Sequence, residues 1–265
     1  MDVFIFTTFA AMKNKIIAFT FFLHLLYLKN VAQLTYDSSL TFPYFQFHAS
    51  FQIPYGDLSK RFGNNMSVGG STIYKLKSNY LFAIDGNYFF SKNVKEDVMS
   101  QLKTSTPSGE SFVIDNEGFP ADLRITERGW NLTLNFGKIF YIGGNNKNRG
   151  IHYQIGLGYL QHKIKLYDAQ QKIAAIKGDR IKGYDRLSIG GCVYNYLGYT
   201  YLSSNRFVNF TIGLEFYYAI TQNVRYYDYA TASIDTKIRH DMLAGIKFGW
   251  ILPVYRKADG IFFYD

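Results

Sequence analysis

The chain has 265 residues, a formal net charge of +9 and 18% aromatic residues, including 23 Tyr and 24 Phe. Its mean hydropathy of -0.11 is too low for a protein that crosses a membrane with apolar helices of about 20 residues. The single cysteine, Cys192, excludes an intramolecular disulfide. High aromatic and glycine content with near-neutral hydropathy is typical of a membrane β-barrel, in which only alternate residues are apolar.

The N-terminal residues 1–32 have the pattern of an export signal. A short basic start precedes the apolar residues 16–28, and Ala32 is the small residue at the predicted cleavage point. Met12 is an alternative start, because residues 1–11 hold no Lys or Arg. An uncleaved membrane anchor is the other interpretation, which the shortness of the apolar stretch disfavours.

The positive charge of the exported chain favours anionic lipids as partners. Residues 1–32 hold three Lys and one Asp, so cleavage lowers the formal net charge from +9 to +7. This balance predicts contacts with outer-membrane lipids, including lipopolysaccharide. Nucleic acid is not expected, because export separates the chain from it and the sequence has no basic run or nucleic-acid motif.

Eight segments alternate apolar and polar residues with a period of two, which predicts eight β-strands. The strands are predicted at 44–53, 66–76, 80–90, 130–140, 152–163, 186–201, 208–218 and 242–252. A polar lead, 33–43, precedes them, and a tail, 253–265, follows. Long connections at 54–65, 91–128, 166–185 and 219–239 alternate with short turns, and Val94–Leu102 in the second long connection is predicted to be helical.

The segment from His152 to Lys163 shows the alternation most clearly. One side carries Tyr153, Ile155, Leu157 and Tyr159. The other side carries His152, Gln154, Gly156, Gly158 and His162, with Leu160 as the one apolar exception. The apolar side is expected to face lipid and the polar side to face a narrow lumen.

An even number of strands with alternating long and short connections predicts an all-β fold, an eight-stranded antiparallel up-and-down transmembrane β-barrel. Residues 44–252 would form the barrel, with short periplasmic turns, long extracellular loops and both termini in the periplasm. The alternative is a soluble eight-stranded barrel that binds a lipophile, in which the polarity is reversed.

Charges that face the lumen of so narrow a barrel are expected to pair. The predicted polar network consists of Asp85, Glu215, Lys247, Gln154 and Asn135, with Glu215 and Lys247 as its central pair. A polar path for a proton or a small solute is the alternative interpretation. The predicted lipid-interface aromatic residues are Trp130, Tyr153, Tyr159, Tyr199, Tyr218 and Trp250.

Histidines on the lumen side offer one catalytic hypothesis. His162 is expected at the outer rim of its strand, where it could activate a serine against a lipid ester. No motif identifies a nucleophile, so His162 is the one catalytic candidate. The five His and one Cys are scattered, so neither a metal site nor a cofactor is predicted.

Three stretches are the most individual in the chain: Asp57–Gly63, Gly183–Leu187 and Lys247–Tyr255. With the export end at residues 31–33, they resemble small outer-membrane β-barrel proteins of the Bacteroidota, with an eight-stranded barrel of the OmpA/OmpX type. The resemblance covers most of residues 44–255 and implies the fold and an outer-membrane location. The chain departs from the usual terminal aromatic signal for barrel assembly, because thirteen residues follow Leu252.

A structural or interaction role is the favoured function, and the resemblance implies an accessory part in an envelope secretion or gliding complex. The long segment Ser91–Arg128 is the predicted partner-binding element. An outer-membrane enzyme that modifies lipid A and a small-solute channel are the two alternatives. The ligand, the partner and the oligomeric state stay open.

Overall fold

The computed structural model describes residues 39–105, 111–143, 146–203 and 208–254. The predicted signal peptide lies outside the described residues, as do the first part of the predicted lead and residues 255–265 of the predicted tail.

Eight long strands form a closed barrel. They are β1 (Phe42–Gly56), β2 (Asn65–Lys75), β3 (Tyr80–Ser91), β6 (Leu123–Tyr141), β7 (Gly150–Asp168), β8 (Ser188–Leu202), β9 (Asn209–Asn223) and β10 (Ile238–Pro253). Two short strands, β4 (Lys103–Ser105) and β5 (Ser111–Val113), pair with each other outside the barrel. Each barrel strand is antiparallel to its neighbours, and β1 pairs with β10 to close the ring. The predicted eight-stranded up-and-down topology is confirmed.

The barrel has two different ends. One end, called the turn end below, carries the connections at 76–79, 142–149 and 203–208, together with the start of β1 and the end of β10. The other end, the loop end, carries the connections at 57–64, 92–122, 169–187 and 224–237. Three of the four loop-end connections are longer than any connection at the turn end, as predicted, but 57–64 has eight residues, as many as 142–149.

Side chains alternate between the interior and the exterior with the period of two that the sequence predicts. In β1, Tyr44 and Gln46 are buried while Phe45 and Phe47 are exposed. The shortest barrel strand, β2, has 11 residues, which at ~3.3 Å per residue and a tilt of roughly 40° reach about 28 Å along the barrel axis. That height matches the apolar band of about 25 Å on barrels that span a membrane.

Strands β6 and β7 are each 19 residues long and extend past the barrel at the loop end. They pair from Leu123 with Asp168 to Tyr141 with Gly150. The predicted strands at 130–140 and 152–163 were therefore too short, and part of the predicted loop Ser91–Arg128 is strand. Strand β8 begins at Ser188, two residues after its predicted start.

The helix predicted at Val94–Leu102 is wrong. Within that range only Ser100–Leu102 forms a helical turn, of the 3₁₀ type. Val98 and Met99 are fully buried, so this segment packs its apolar residues in an irregular loop. The short α-helix α1, Leu58–Arg61, lies instead in the connection between β1 and β2. In the described ranges, no helix is both long and apolar enough to cross a membrane.

The apolar core in the upper interior of the barrel continues beyond the loop end, and the part that lies there is here called the cap. Its buried members are Val98, Met99, Val113, Ile164, Leu166, Ile173, Ile176, Tyr184 and Ala230. They come from the extended part of β7 and from three of the connections. The loops of this end therefore fold together over the mouth of the barrel.

Candidate functional site: the sealed interior of the barrel

Lys247 occupies the middle of the barrel interior. Its Nζ lies 3.0 Å from Oδ2 of Asp85 and 3.9 Å from Oε2 of Glu215, and all three side chains are buried. The phenol of Tyr194 lies 3.3 Å from the same Nζ, and the rings of Tyr194 and Tyr217 are 4.7 Å apart. Side chains from β3, β8, β9 and β10 therefore meet across the lumen.

The two carboxylates have further donors. Ser71 donates its hydroxyl hydrogen to Asp85 Oδ2 over 2.5 Å, and Asn87 also donates to Asp85. Gln52 donates from Nε2 to Glu215 Oε1 over 2.6 Å. The predicted charged trio is thus brought together, but the nearest partner of Lys247 is Asp85, not Glu215 as expected.

A histidine extends this network toward the wall of the barrel. His48 Nε2 lies 2.6 Å from Asn87 Oδ1 and 3.7 Å from Asp85 Oδ2. Gly69 lies beneath this contact, because a Cβ built there would be 2.6 Å from His48 Nε2 and 2.7 Å from Asn87 Oδ1. A glycine at this inward position therefore makes room for the hydrogen bond between the two side chains.

The structure places Asn135 and Gln154 in the lumen but outside the Lys247 network. Both residues are buried and lie near the turn end of β6 and β7. Among the described residues, neither the amide of Asn135 nor Nε2 of Gln154 has a hydrogen-bond partner. Buried polar groups without a protein partner are the kind of groups that bind water inside a protein.

Arg61, from α1, enters the barrel mouth at the loop end. It donates to Glu96 Oε2 over 2.9 Å, to Ser188 Oγ over 2.9 Å and to the Arg186 carbonyl oxygen over 3.1 Å. Burial lowers the pKa of its guanidinium to about 10, which leaves it charged at neutral pH. The α1 turn and the strand ends are tied together by this one side chain.

Two arginines, Arg186 and Arg225, continue the closure of the mouth. Arg186 pairs with Glu96 and lies 2.8 Å from Asp228 Oδ2. Arg225 donates to both carboxylate oxygens of Asp185, and these hydrogen bonds raise the pKa of the Arg225 guanidinium. Ion pairs thus join the connections at 92–122, 169–187 and 224–237.

His162 does not lie at an accessible rim, so that expectation is wrong. Its side chain is fully buried, because β7 continues beyond it to Asp168. His162 Nε2 lies 2.8 Å from Asp241 Oδ2, and Phe62 packs edge-on against its ring with centroids 5.7 Å apart. Asp241 also accepts from Thr221 Oγ1 over 2.5 Å, so the histidine belongs to a buried polar cluster.

Lys75 closes the turn end in a similar way. Its fully buried side chain donates to Asn148 Oδ1 over 2.8 Å, to the Leu40 carbonyl oxygen over 3.0 Å and to Ser39 Oγ over 3.1 Å. Apolar residues surround this contact: Phe42, Tyr44, Ile73, Leu81, Ala83, Ile139, Leu202 and Ile251. Lys75, Lys247 and Arg61 are therefore three buried cations at three levels of the barrel.

The predicted interface aromatic residues all lie on the outer face. Trp130, Tyr159 and Tyr218 lie toward the loop end, and Tyr153, Tyr199 and Trp250 lie toward the turn end. The rings of Trp130 and Tyr159 are 4.9 Å apart. Between the two sets the surface is mostly leucine, isoleucine and phenylalanine, with Leu157, Leu134 and Leu214 exposed by 68%, 65% and 62%.

Sequence reasoning missed Arg61, Asp241 and the role of Lys75 at the turn end. Asp241 continues the inward parity of Leu243, Gly245 and Lys247 along β10, so strand alternation could have found it. Arg61 lies in a connection, where no periodicity indicates direction. Within the described ranges, no group of three His, Cys, Asp or Glu side chains is placed to hold a metal ion.

No model of a known protein family matches the sequence, and no curated protein matches it significantly. Among solved structures, neisserial surface protein A matches with a TM-score of 0.41 and 11% identity, over 79% of this chain and 96% of that chain. Ail, the attachment invasion locus protein of Yersinia pestis, matches with a TM-score of 0.41 and 10% identity, over 80% and 100%. The outer membrane protein OprG from Pseudomonas aeruginosa matches with a TM-score of 0.35 and 13% identity, over 83% and 99%.

These likenesses carry no argument about function, and the fold of this chain is defined by its own strand pairing. The chain is an eight-stranded antiparallel barrel with an apolar outer face and a polar interior. Buried ion pairs and hydrogen bonds fill that interior at its middle and at both ends.

Proposed function

We propose that the protein spans the outer membrane as a sealed barrel and holds a folded cap outside the cell. The observation that carries this proposal is the polarity of the barrel wall. Leucine, isoleucine and phenylalanine side chains cover the middle of its exterior, while Lys247, Asp85 and Glu215 lie inside. A soluble barrel would put the apolar residues inside and the polar ones outside.

The orientation follows from the connections. Barrels of the outer membrane have short periplasmic turns and long extracellular loops. The turn end would therefore face the periplasm, which agrees with export by the predicted N-terminal signal. The cap would lie outside the cell.

A structural or interaction role agrees better with the interior than transport does. The lumen of an eight-stranded barrel is narrow enough for side chains to fill it. Here Lys75, Lys247 and Arg61 are each buried and bound to acceptors from other strands or connections. A solute would have to break all three sets of contacts, each costly in a dry interior.

The connection at 92–122 is the proposed partner-binding element, within the predicted segment Ser91–Arg128. It reaches each of the other three connections at the loop end: Glu96 binds Arg61, Gln101 donates to the Ala230 carbonyl oxygen, and Glu117 pairs with Lys172. It also exposes the ring of Phe119 by 64%. A connection that is held in place and presents an apolar ring suits protein contact.

Membership of a secretion or gliding complex is the specific form of this proposal. A photo-crosslinking residue at Phe119 would then form one discrete adduct in intact cells. The same residue at Phe82, which faces lipid in the apolar band, serves as the matched control. Adducts of equal yield at both positions would contradict a dedicated contact at the cap.

Two experiments test the membrane location of the protein and the absence of an open pore through the barrel. The detergent-extracted outer-membrane fraction should contain the protein, and its mobility on an unboiled gel should shift on boiling. In a planar bilayer the purified barrel should show no steady conductance. A soluble chain without a heat shift would contradict the membrane proposal, and a steady conductance would contradict the seal and favour the channel alternative.

The lipid A enzyme gains no support from the position of His162. That side chain binds Asp241 inside the barrel beneath Phe62, away from any lipid ester. The enzyme alternative predicts that His162→Ala changes the lipid A profile of the cell. Under the proposal made here the profile stays the same.

A further inference from the structure

The outer face of the β6–β7 hairpin changes polarity abruptly at the loop end. From Phe136 to Trp130 on β6 and from Ile151 to Tyr159 on β7, the outward residues are apolar or aromatic. One step further, the outward residues are Arg128 and Thr126 on β6, and Gln161, Lys163 and Lys165 on β7. The inward residues change in the opposite sense, since Ile164 and Leu166 are buried in the cap.

This inversion marks the height at which the surroundings change from hydrocarbon to water. Below it the exterior must be apolar, and above it the apolar face must turn inward to the cap. Aromatic residues are enriched at this boundary in membrane barrels, and Trp130 and Tyr159 lie there in ring contact. Arg128 and Lys163 therefore lie at the level of the lipid headgroups.

The cations at this level repel one another. Arg128 and Lys163 are direct cross-strand partners, and Thr126 is the partner of Lys165. Side chains directly opposite on antiparallel strands lie about 5 Å apart at Cβ, and like charges there are destabilising. In the described part of the chain, none of Arg128, Lys163 and Lys165 forms an ion pair with a carboxylate of this protein.

The neighbouring groups do not neutralise these three cations. Arg128 donates to the Glu127 carbonyl oxygen and lies over the Phe90 ring. Glu127 itself points into the barrel and is fully buried. Asp122, just before the start of β6, has its Oδ2 atom 3.7 Å from a guanidinium nitrogen of Arg124.

We infer that Arg128, Lys163 and Lys165 form a binding site for the phosphate of an outer-leaflet lipid. A phosphate offers several acceptor oxygens to an arginine and two lysines, and it relieves their mutual repulsion. The acyl chains would continue along the apolar surface past Trp130 and Leu132. A free phosphate would gain only the contacts with the three cations and none with the apolar surface. The site is therefore assigned to a lipid.

This inference rests on the proposed membrane location, and the test separates the two. The full chain in neutral detergent micelles is titrated with bisphosphorylated lipid A, and the fluorescence of Trp130 is recorded in a Trp250→Phe background. Trp130 lies two residues from Arg128 on the same face, about 7 Å along the strand. It should therefore respond to a lipid bound at the three cations.

The test variant is Arg128→Gln/Lys163→Gln/Lys165→Gln. Each basic residue near a charged lipid surface contributes about a fivefold change in affinity, so losing three should weaken binding on the order of a hundredfold. The matched control is Lys177→Gln/Arg180→Gln/Lys182→Gln, which removes three exposed cations from the cap. The control should keep the wild-type affinity, because its cations lie in the 169–187 connection, beyond the headgroup level.

Three results would overturn the lipid site. The test variant could bind lipid A as tightly as the wild type, the control could lose as much affinity as the test variant, or inorganic pyrophosphate could bind as tightly as lipid A. If any of these occurs while the barrel is heat-modifiable and in the outer-membrane fraction, only the lipid site fails. A chain that never enters that fraction overturns the proposed function and the lipid site together.

Discussion

Replacing Lys247 with Met removes the cation that lies between Asp85 and Glu215. The Nζ is 3.0 Å from one carboxylate and 3.9 Å from the other, and each side chain is no more than 4% exposed. Lys247→Met therefore leaves two buried carboxylates without a cation, and breaking such a pair costs about 3–5 kcal/mol. This is a large part of the 5–15 kcal/mol that stabilises a typical domain.

The structure also predicts a partial rescue. Asp85→Asn keeps an acceptor for Ser71 but removes one of the two unpaired charges. The double variant Lys247→Met/Asp85→Asn should therefore recover about 2 kcal/mol of the loss. The carboxylate of Glu215 still has the Gln52 amide as donor in that variant.

Urea unfolding of the barrel in phosphatidylcholine vesicles measures both effects, with Trp fluorescence and the heat-modifiable gel band as two probes. With a slope of about 2 kcal/mol per M, a loss of 4 kcal/mol lowers the midpoint by about 2 M. Lys138→Met is the control, because Lys138 lies on the outer face against the Tyr80 ring. A midpoint for Lys247→Met that equals the control, or a double variant less stable than the single one, would refute the reasoning.

Three further predictions concern other parts of the barrel. Gly69→Val should destabilise the barrel by about 1–3 kcal/mol, because the new side chain would overlap His48 and Asn87. The outward variant Gly70→Val should be tolerated, because the nearest atom to a Cβ there is 3.6 Å away. Equal urea midpoints for the two variants would contradict this prediction. Tyr153 donates to Asn195 Oδ1 on the outer face over 3.2 Å. The double variant Tyr153→Phe/Asn195→Leu should stabilise the barrel in vesicles by about 1 kcal/mol. A loss of stability would indicate that this face lies in water. Hydrogen bonds from Lys60 and from the His240 backbone N–H lower the pKa of Asp57 to about 2. The contribution of Asp57 to stability is therefore present above about pH 4 and is lost toward pH 2. Asp57→Asn should remove that part of the pH dependence of the His240 amide exchange rate, and an unchanged pH profile would contradict the prediction.

The sequence predicted the strands and their faces because a period of two records only whether a side chain points in or out. It could not predict which inward groups meet, since the lumen brings together strands that are not neighbours in the sheet. Asp85 on β3 and Lys247 on β10 are an example: 162 residues separate them in the chain. The prediction therefore paired Lys247 with Glu215 on the adjacent strand.

The loop end was predicted least well, and the reason is physical. Beyond Trp130 the apolar residues of β6 and β7 face inward, toward the cap, and the polar ones face water. The sequence pattern of apolar residues on the outer face therefore stops at that point. The strands themselves continue to Leu123 and Asp168. His162 is buried because β7 continues beyond it. The sequence prediction ended the strand near His162 and therefore placed this residue at the rim.

The barrel closes where its first strand, β1, pairs with its last strand, β10. Residues 44–56 pair with residues 241–253, so the sheet has two free edges unless these two strands are paired. Strand β10 places Lys247 beside Asp85 on β3. The strand that closes the ring therefore also carries the cation that neutralises the buried carboxylates of the lumen. An open sheet edge in hydrocarbon would leave backbone groups unpaired, so in the proposed membrane location the pairing of β1 with β10 completes the hydrogen bonding of the wall.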